Sequence, residues 1–205
     1  MNRNTLRGIA QLLSPALFLT VFAAGQDLTS SDREKGLRYL AETRNGVVEA
    51  TKGLSEAQWK FKPGPGRWSI AEIVEHLALV ENLLLENVRP QLASSTTIAR
   101  DRDPKQMDAT ILAKMPDRST KYQAPPPIVP TGRWAPQAAL DRFLASRQQT
   151  VAFLKSDADL RGPVVTHPAF GAMDGYEWIL AIAAHSERHT KQILEVKADS
   201  NFPEK

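Results

Sequence analysis

The stretch "SIAEIVEHLALVENLLL", residues 69–85, decides the fold. Ser69 with Glu72 three positions on is a capping box, in which hydroxyl and carboxylate each take up a backbone N–H that a helix start leaves without a partner. Behind it Ile73, His76, Leu77, Val80, Leu83 and Leu84 recur at helical spacing and form one apolar stripe. The spacing predicts a helix over about 70–93, kinked or ended near Pro90, which has no N–H to donate and clashes with the preceding turn. One residue of this stripe, His76, is polar.

The same period continues outward in both directions. Upstream, "SDRE" at 31–34 reads as another capping box with Ser31 as N-cap and Glu34 as its partner. Leu37, Leu40, Ala41, Val47, Val48 and Thr51 follow on one face, giving a helix over about 32–53 that ends at Gly53, with "PGPG" at 63–66 as the turn after it. Downstream, residues 94–134 are rich in Ser, Thr, Pro and charge. They contain "APPPIVPTG" at 124–132, an extended connection, and one short helix over about 104–114. A third helix, about 136–156, has Pro136 in its first turn and Leu140, Phe143, Leu144, Val151 and Leu154 inward. A fourth follows "HPAFGAMDG" at 167–175 and carries Trp178, Ile182, His185, His189, Ile193 and Val196 along one stripe to about 198. No stretch alternates with the period of two that marks a strand. The reading is all-α: a four-helix bundle with a long crossover between helices 2 and 3, its core about residues 31–198 of a single domain, 26–205.

Composition fits this: 205 residues, 42% hydrophobic and 24% charged, are ordinary for a globular domain. Arg3 and Arg7 precede an apolar run from Leu12 to Ala24 that is interrupted by Ser14, Pro15 and Thr20 and ends in small residues. Residues 1–25 therefore read as a signal peptide cleaved after Gly25, shorter than the roughly 20 apolar residues of a spanning helix. The expectation is an exported protein, periplasmic or secreted, with no membrane anchor after cleavage. With no Cys in the chain there is no lipid-modified cysteine, disulfide, thiolate metal site or cysteine nucleophile. Loss of Arg3 and Arg7 lowers the formal charge from +3 to +1, and a nearly neutral chain with mixed-sign helices has no electrostatic footprint for nucleic acid. A homodimer through the helix faces is compatible with this fold, although no exposed apolar stripe compels one.

His76, His185 and His189 all lie on inner stripes, and a buried imidazole left without a partner costs about 1–3 kcal/mol. Two readings satisfy them: hydrogen bonds within the core, or a divalent ion. Histidines at i and i+4 face the same way about 6 Å apart, close enough to share one ion, and a third from a facing helix completes a three-nitrogen set. Three protein ligands leave a position open to water or substrate, as catalytic zinc sites do. Three imidazoles suit zinc, nickel, copper and iron alike. Ser186 stands where the zincin HExxH motif needs glutamate, so a metalloprotease is disfavoured.

Among the neighbours, Glu72 is read as the capping partner and Glu75 as solvated. Arg188 is expected to pair with an acid of another helix. Gln192 either orients a ligand or is a surface amide. Trp68 and Trp178 either line the bundle end near the histidines or close its core, and His167 is expected to bond loop backbone.

Together, "LSEAQWKFKPGPGRWSIAEIVEHLALVE" at 54–81 and "HPAFGAMDGYEWILAIAAHSERHTKQI" at 167–193 resemble the DinB-like (DinB/YfiT-like) superfamily. They carry W-S-x-x-E-x-x-x-H-L, H-x-x-R-H-x-x-Q and the HPxFG loop, and the likeness extends over about residues 31–198. The resemblance implies a four-helix bundle and a divalent metal ion, zinc or nickel, held by His76, His185 and His189. It also implies a metal-dependent hydrolase-like enzyme acting on an unidentified small molecule, or else a non-catalytic metal- or ligand-binding module. Thiol-dependent transferases of the family use cytosolic thiols, which an exported relative would lack.

Overall fold

In the computed structural model, which describes residues 27–98 and 102–204, each expected helix has its counterpart. The signal-peptide expectation for residues 1–25 lies outside the described residues. In chain order the elements are α1 (Ser30–Thr51), α2 (Glu56–Lys60), α3 (Ile70–Leu83), a π turn (Leu84–Val88), α4 (Arg89–Ser94), α5 (Pro104–Lys114), a 3-10 turn (Pro126–Ile128), α6 (Pro136–Lys155), β1 (Val164–His167), β2 (Gly171–Asp174) and α7 (Gly175–Lys197). No helix among the described residues is long and apolar enough to cross a membrane.

Local chemistry explains the starts and stops. The Ser69–Glu72 box opens α3 as expected, and two further boxes, Ser55–Gln58 and Asp174–Glu177, open α2 and α7. At α1 the expectation is corrected: Thr29 is the N-cap, its hydroxyl accepting the Asp32 N–H at 3.1 Å, while Glu34 pairs with Arg38 in solvent. Thr29 and Asp32 have the same spacing two residues earlier and so take the helix start. Pro90 neither ends nor breaks the second helix. The π turn shifts the ladder so that the Arg89 N–H reaches the Leu84 carbonyl, and Pro90 falls in the first turn of α4, where its missing N–H matters least.

The expectation of no strands is corrected by a hairpin, β1 against β2, with Val164 opposite Asp174 and His167 opposite Gly171. Gly171 has φ +73°, a conformation that the three-residue turn after His167 requires and that glycine adopts without strain.

Around the bundle, α1 packs on α7 and α6, and α3 packs on α6 and α7. Consecutive long helices α1 and α3 thus stand diagonally across from each other. Gly36 lets α1 come close to its neighbours: a Cβ there would meet the Tyr176 ring at 2.9 Å and Leu154 at 3.0 Å. The core has two apolar clusters, one including Leu40, Leu84, Leu154 and Ile179, the other Val47, Ile73, Phe143 and Ile193. Every long helix also buries polar residues near where the two clusters meet: Thr43, Glu81, Arg147 with Thr150, and Ser186.

Candidate metal centre

The capping box of α3 sets where that helix begins and hence which way His76 points, and the Asp174–Glu177 box does the same for His185 and His189 on α7. The three side chains meet. His185 Nε2 lies 3.2 Å from His76 Nε2 and 3.1 Å from His189 Nε2. Imidazole nitrogens bound to one ion at about 2.0–2.1 Å stand roughly 2.9–3.4 Å apart, so these separations fit a shared divalent ion.

The outer nitrogens fix the protons. His76 Nδ1 is 2.7 Å from the Ile128 carbonyl, which only accepts, so Nδ1 carries the hydrogen and Nε2 is bare. His189 Nδ1 is 2.8 Å from Gln192 Oε1, which also takes a bond from Arg118 Nη1 at 3.4 Å. Because guanidinium only donates, the amide atom between them is the oxygen, and His189 Nε2 is bare as well. His185 Nδ1 is buried with no partner among the described residues. A single proton on His185 Nε2 could serve only one of its two neighbours, leaving at least one lone pair facing another. A divalent cation accepts all three.

Electrostatics keep the rings neutral. Burial pushes His76 down to about 4 against the opposing effect of its bond to Ile128. Burial, then the neighbouring His189 and His76, holds His185 well below its ordinary range; burial, then His76, does the same for His189. Neutral imidazole is the metal-binding form. Trp68 covers one side of the group, its ring centroid 4.9 Å from His76 and 6.3 Å from His189. His76 and His189 are 3% and 7% exposed, and His185 is partly buried.

The neighbouring residues divide. Glu72 is the capping partner, held also by Lys62 at 2.7 Å. Gln192 orients His189. His167 Nδ1 accepts the Ala169 N–H at 3.0 Å, as expected of a loop-bonded residue, and its ring lies tilted against Trp178. Trp178 itself donates to the Val165 carbonyl, packing the hairpin on α7 rather than touching the three histidines. Two expectations are corrected. Glu75 is buried, not solvated, and accepts the N–H groups of Thr131 at 2.9 Å and Gly132 at 2.8 Å, because the crossover lies over that face. Arg188 pairs with no acid among the described residues; it donates to the carbonyls of Asp117 and Thr120, clamping the crossover onto α7.

The crossover therefore supplies parts of the site that sequence reading did not find, the Ile128 carbonyl and Arg118. A backbone carbonyl carries no signature in the sequence, and Arg118 stands in the charged, aperiodic "MPDRSTK" at 115–121. No carboxylate among the described residues is within hydrogen-bonding distance of the three histidines. Glu187, for example, accepts from Tyr39 at 2.7 Å and pairs with Lys191.

A family model described as the DinB superfamily matches residues 39–193. YuaE of Bacillus subtilis strain 168, an uncharacterized protein, is 28% identical over 159 residues, which cover 76% of this chain and 93% of YuaE. Among solved structures, YfiT of Bacillus subtilis, described as a probable metal-dependent hydrolase with an unusual four-helix bundle topology, is similar with a TM-score of 0.59 at 16% identity, covering 87% of this chain and 93% of that one. TT2238, described as a four-helix bundle protein, gives a TM-score of 0.47 at 20% identity, over 80% and 98% of the two chains.

Proposed function

The chain belongs to the DinB superfamily, and from that premise we propose that it is a metal-dependent hydrolase holding one divalent ion, zinc or nickel, on His76, His185 and His189. The observation that supports the reading most is the convergence of three Nε2 atoms whose outer nitrogens, on His76 and His189, are already committed to Ile128 and Gln192. When bound, such an ion supplies Lewis acidity, polarising a substrate carbonyl or phosphoryl oxygen and lowering the pKa of water towards about 7. The protein's own part is to keep the imidazoles neutral, to fix their tautomers and to close one side with Trp68. His185, the most exposed of the three, is where a small substrate would arrive. The apolar run behind Arg3 and Arg7 supports the further reading that the protein works outside the cytoplasm.

The test is elemental analysis of protein purified without added metal, beside a His185→Ala, His189→Ala double variant, followed by turnover of ester, amide, lactone and phosphoester panels. One equivalent of a single metal, lost in the variant, with turnover of at least one panel that a chelator abolishes, is the expected result. Metal without turnover in any panel would instead make this a metal-binding module, and no metal in either protein would overturn the site.

A further inference from the structure

Arg147 and Glu81 are each only 1% exposed and face each other in the middle of the bundle. The guanidinium Nε donates to Glu81 Oε1 at 2.7 Å, and Nη2 donates to the same oxygen. Its remaining donors reach the other long helices: Nη1 to the Leu40 carbonyl at 2.8 Å and the Thr43 hydroxyl at 2.9 Å on α1, and Nη2 to the Ser186 hydroxyl at 2.8 Å on α7. Thr150 on α6 donates to Glu81 Oε2 at 3.0 Å. One ion pair thus ties all four long helices at a single level.

That level adjoins the histidines. Ser186 follows His185 directly on α7, and Glu81 lies five residues beyond His76 on α3. The ligand set is divided between these two helices, so its nitrogen spacing depends on how α3 and α7 sit against each other. A buried ion pair is a weak source of stability, because desolvating both charges offsets most of their attraction, and apolar replacements of similar volume are often neutral or stabilising. What it does impose is geometry: a planar guanidinium with every donor engaged accepts few relative placements of its partners.

We propose that Arg147 and Glu81 are positioning residues for the metal centre, setting the α3–α7 register through Ser186 so that the three Nε2 atoms are already in place for an ion. The proposal rests on the metal reading above. Stability and metal affinity should then respond differently to changes in the clamp, which a merely structural pair would not allow.

The experiment compares wild type with Glu81→Leu/Arg147→Met, Ser186→Ala and Thr43→Val. Zinc and nickel affinities are measured by competition with a chromophoric chelator, the visible spectrum of the cobalt(II) form is recorded, and thermal unfolding is followed without metal. Ser186→Ala cuts the link to the helix carrying two histidines, whereas Thr43→Val cuts a link to a helix carrying none. The expected result is a metal-free Tm in the double variant close to or above that of wild type, a tenfold or greater loss of zinc affinity and altered cobalt bands. A smaller loss of affinity is expected in Ser186→Ala, and none in Thr43→Val. Unchanged affinity and cobalt bands in both the double variant and Ser186→Ala would overturn the proposal while leaving the metal site intact. Should the double variant fail to fold, the two single variants decide: equal effects on affinity, or none, overturn it. Wild type that binds neither metal overturns the metal reading and this proposal together.

Discussion

At the scale of single residues, the histidines are held from outside as much as they meet inside. Gln192 illustrates this, because Arg118 leaves its oxygen no choice but to face His189. Gln192→Leu keeps the volume and removes the acceptor, so zinc affinity should fall about 10–100-fold, the usual effect of losing a group that orients a ligand. Isothermal titration of the variant against wild type checks this. Protonation gives a second prediction. His76 has its pKa pushed down to about 4 in the folded chain, from an ordinary 6.5, so between these values the unfolded chain binds the extra proton. The stability of metal-free protein is therefore full above about pH 6.5 and declines as pH falls towards 4. The contribution of His76 is about 3 kcal/mol over the whole window, and His185 and His189 act in the same direction. Urea unfolding at a series of pH values should show the decline, and His76→Phe should flatten part of it.

At the scale of elements, the helices and their inward faces could be read from the sequence, since caps and apolar period are local signals. The short helix over 104–114 and the inward placement of His76, His185 and His189 were legible in the same way. What was not legible depended on contacts far along the chain. Glu75 reads as solvated on its own helix and becomes buried only because residues 131 and 132 lie over it. Arg188 sits where an ion pair would be ordinary, yet carbonyls of the crossover reach it first. The hairpin was missed because strands of four residues give the period of two too little length to show. These contacts predict that Glu75→Ala, which leaves two backbone N–H groups without an acceptor, loosens the crossover at a cost of about 1–3 kcal/mol. Limited proteolysis should then cut between residues 117 and 133 at a rate at which wild type stays intact.

At the scale of the whole molecule, the crossover helps to hold the three histidines, with Ile128 behind His76 and Arg118 behind Gln192. The diagonal placement of α1 and α3 has a further consequence, for the order in which the chain can fold. Neither helix has the other as its main partner. Both stripes wait for α6 and α7, which leave the ribosome after them, and such distant pairings slow folding relative to bundles whose successive helices are neighbours. A fragment of residues 27–125 should show no cooperative unfolding by circular dichroism, while the full chain does. The three histidines come together only once α7 has packed, and a truncation that removes α7 should remove the fold together with it.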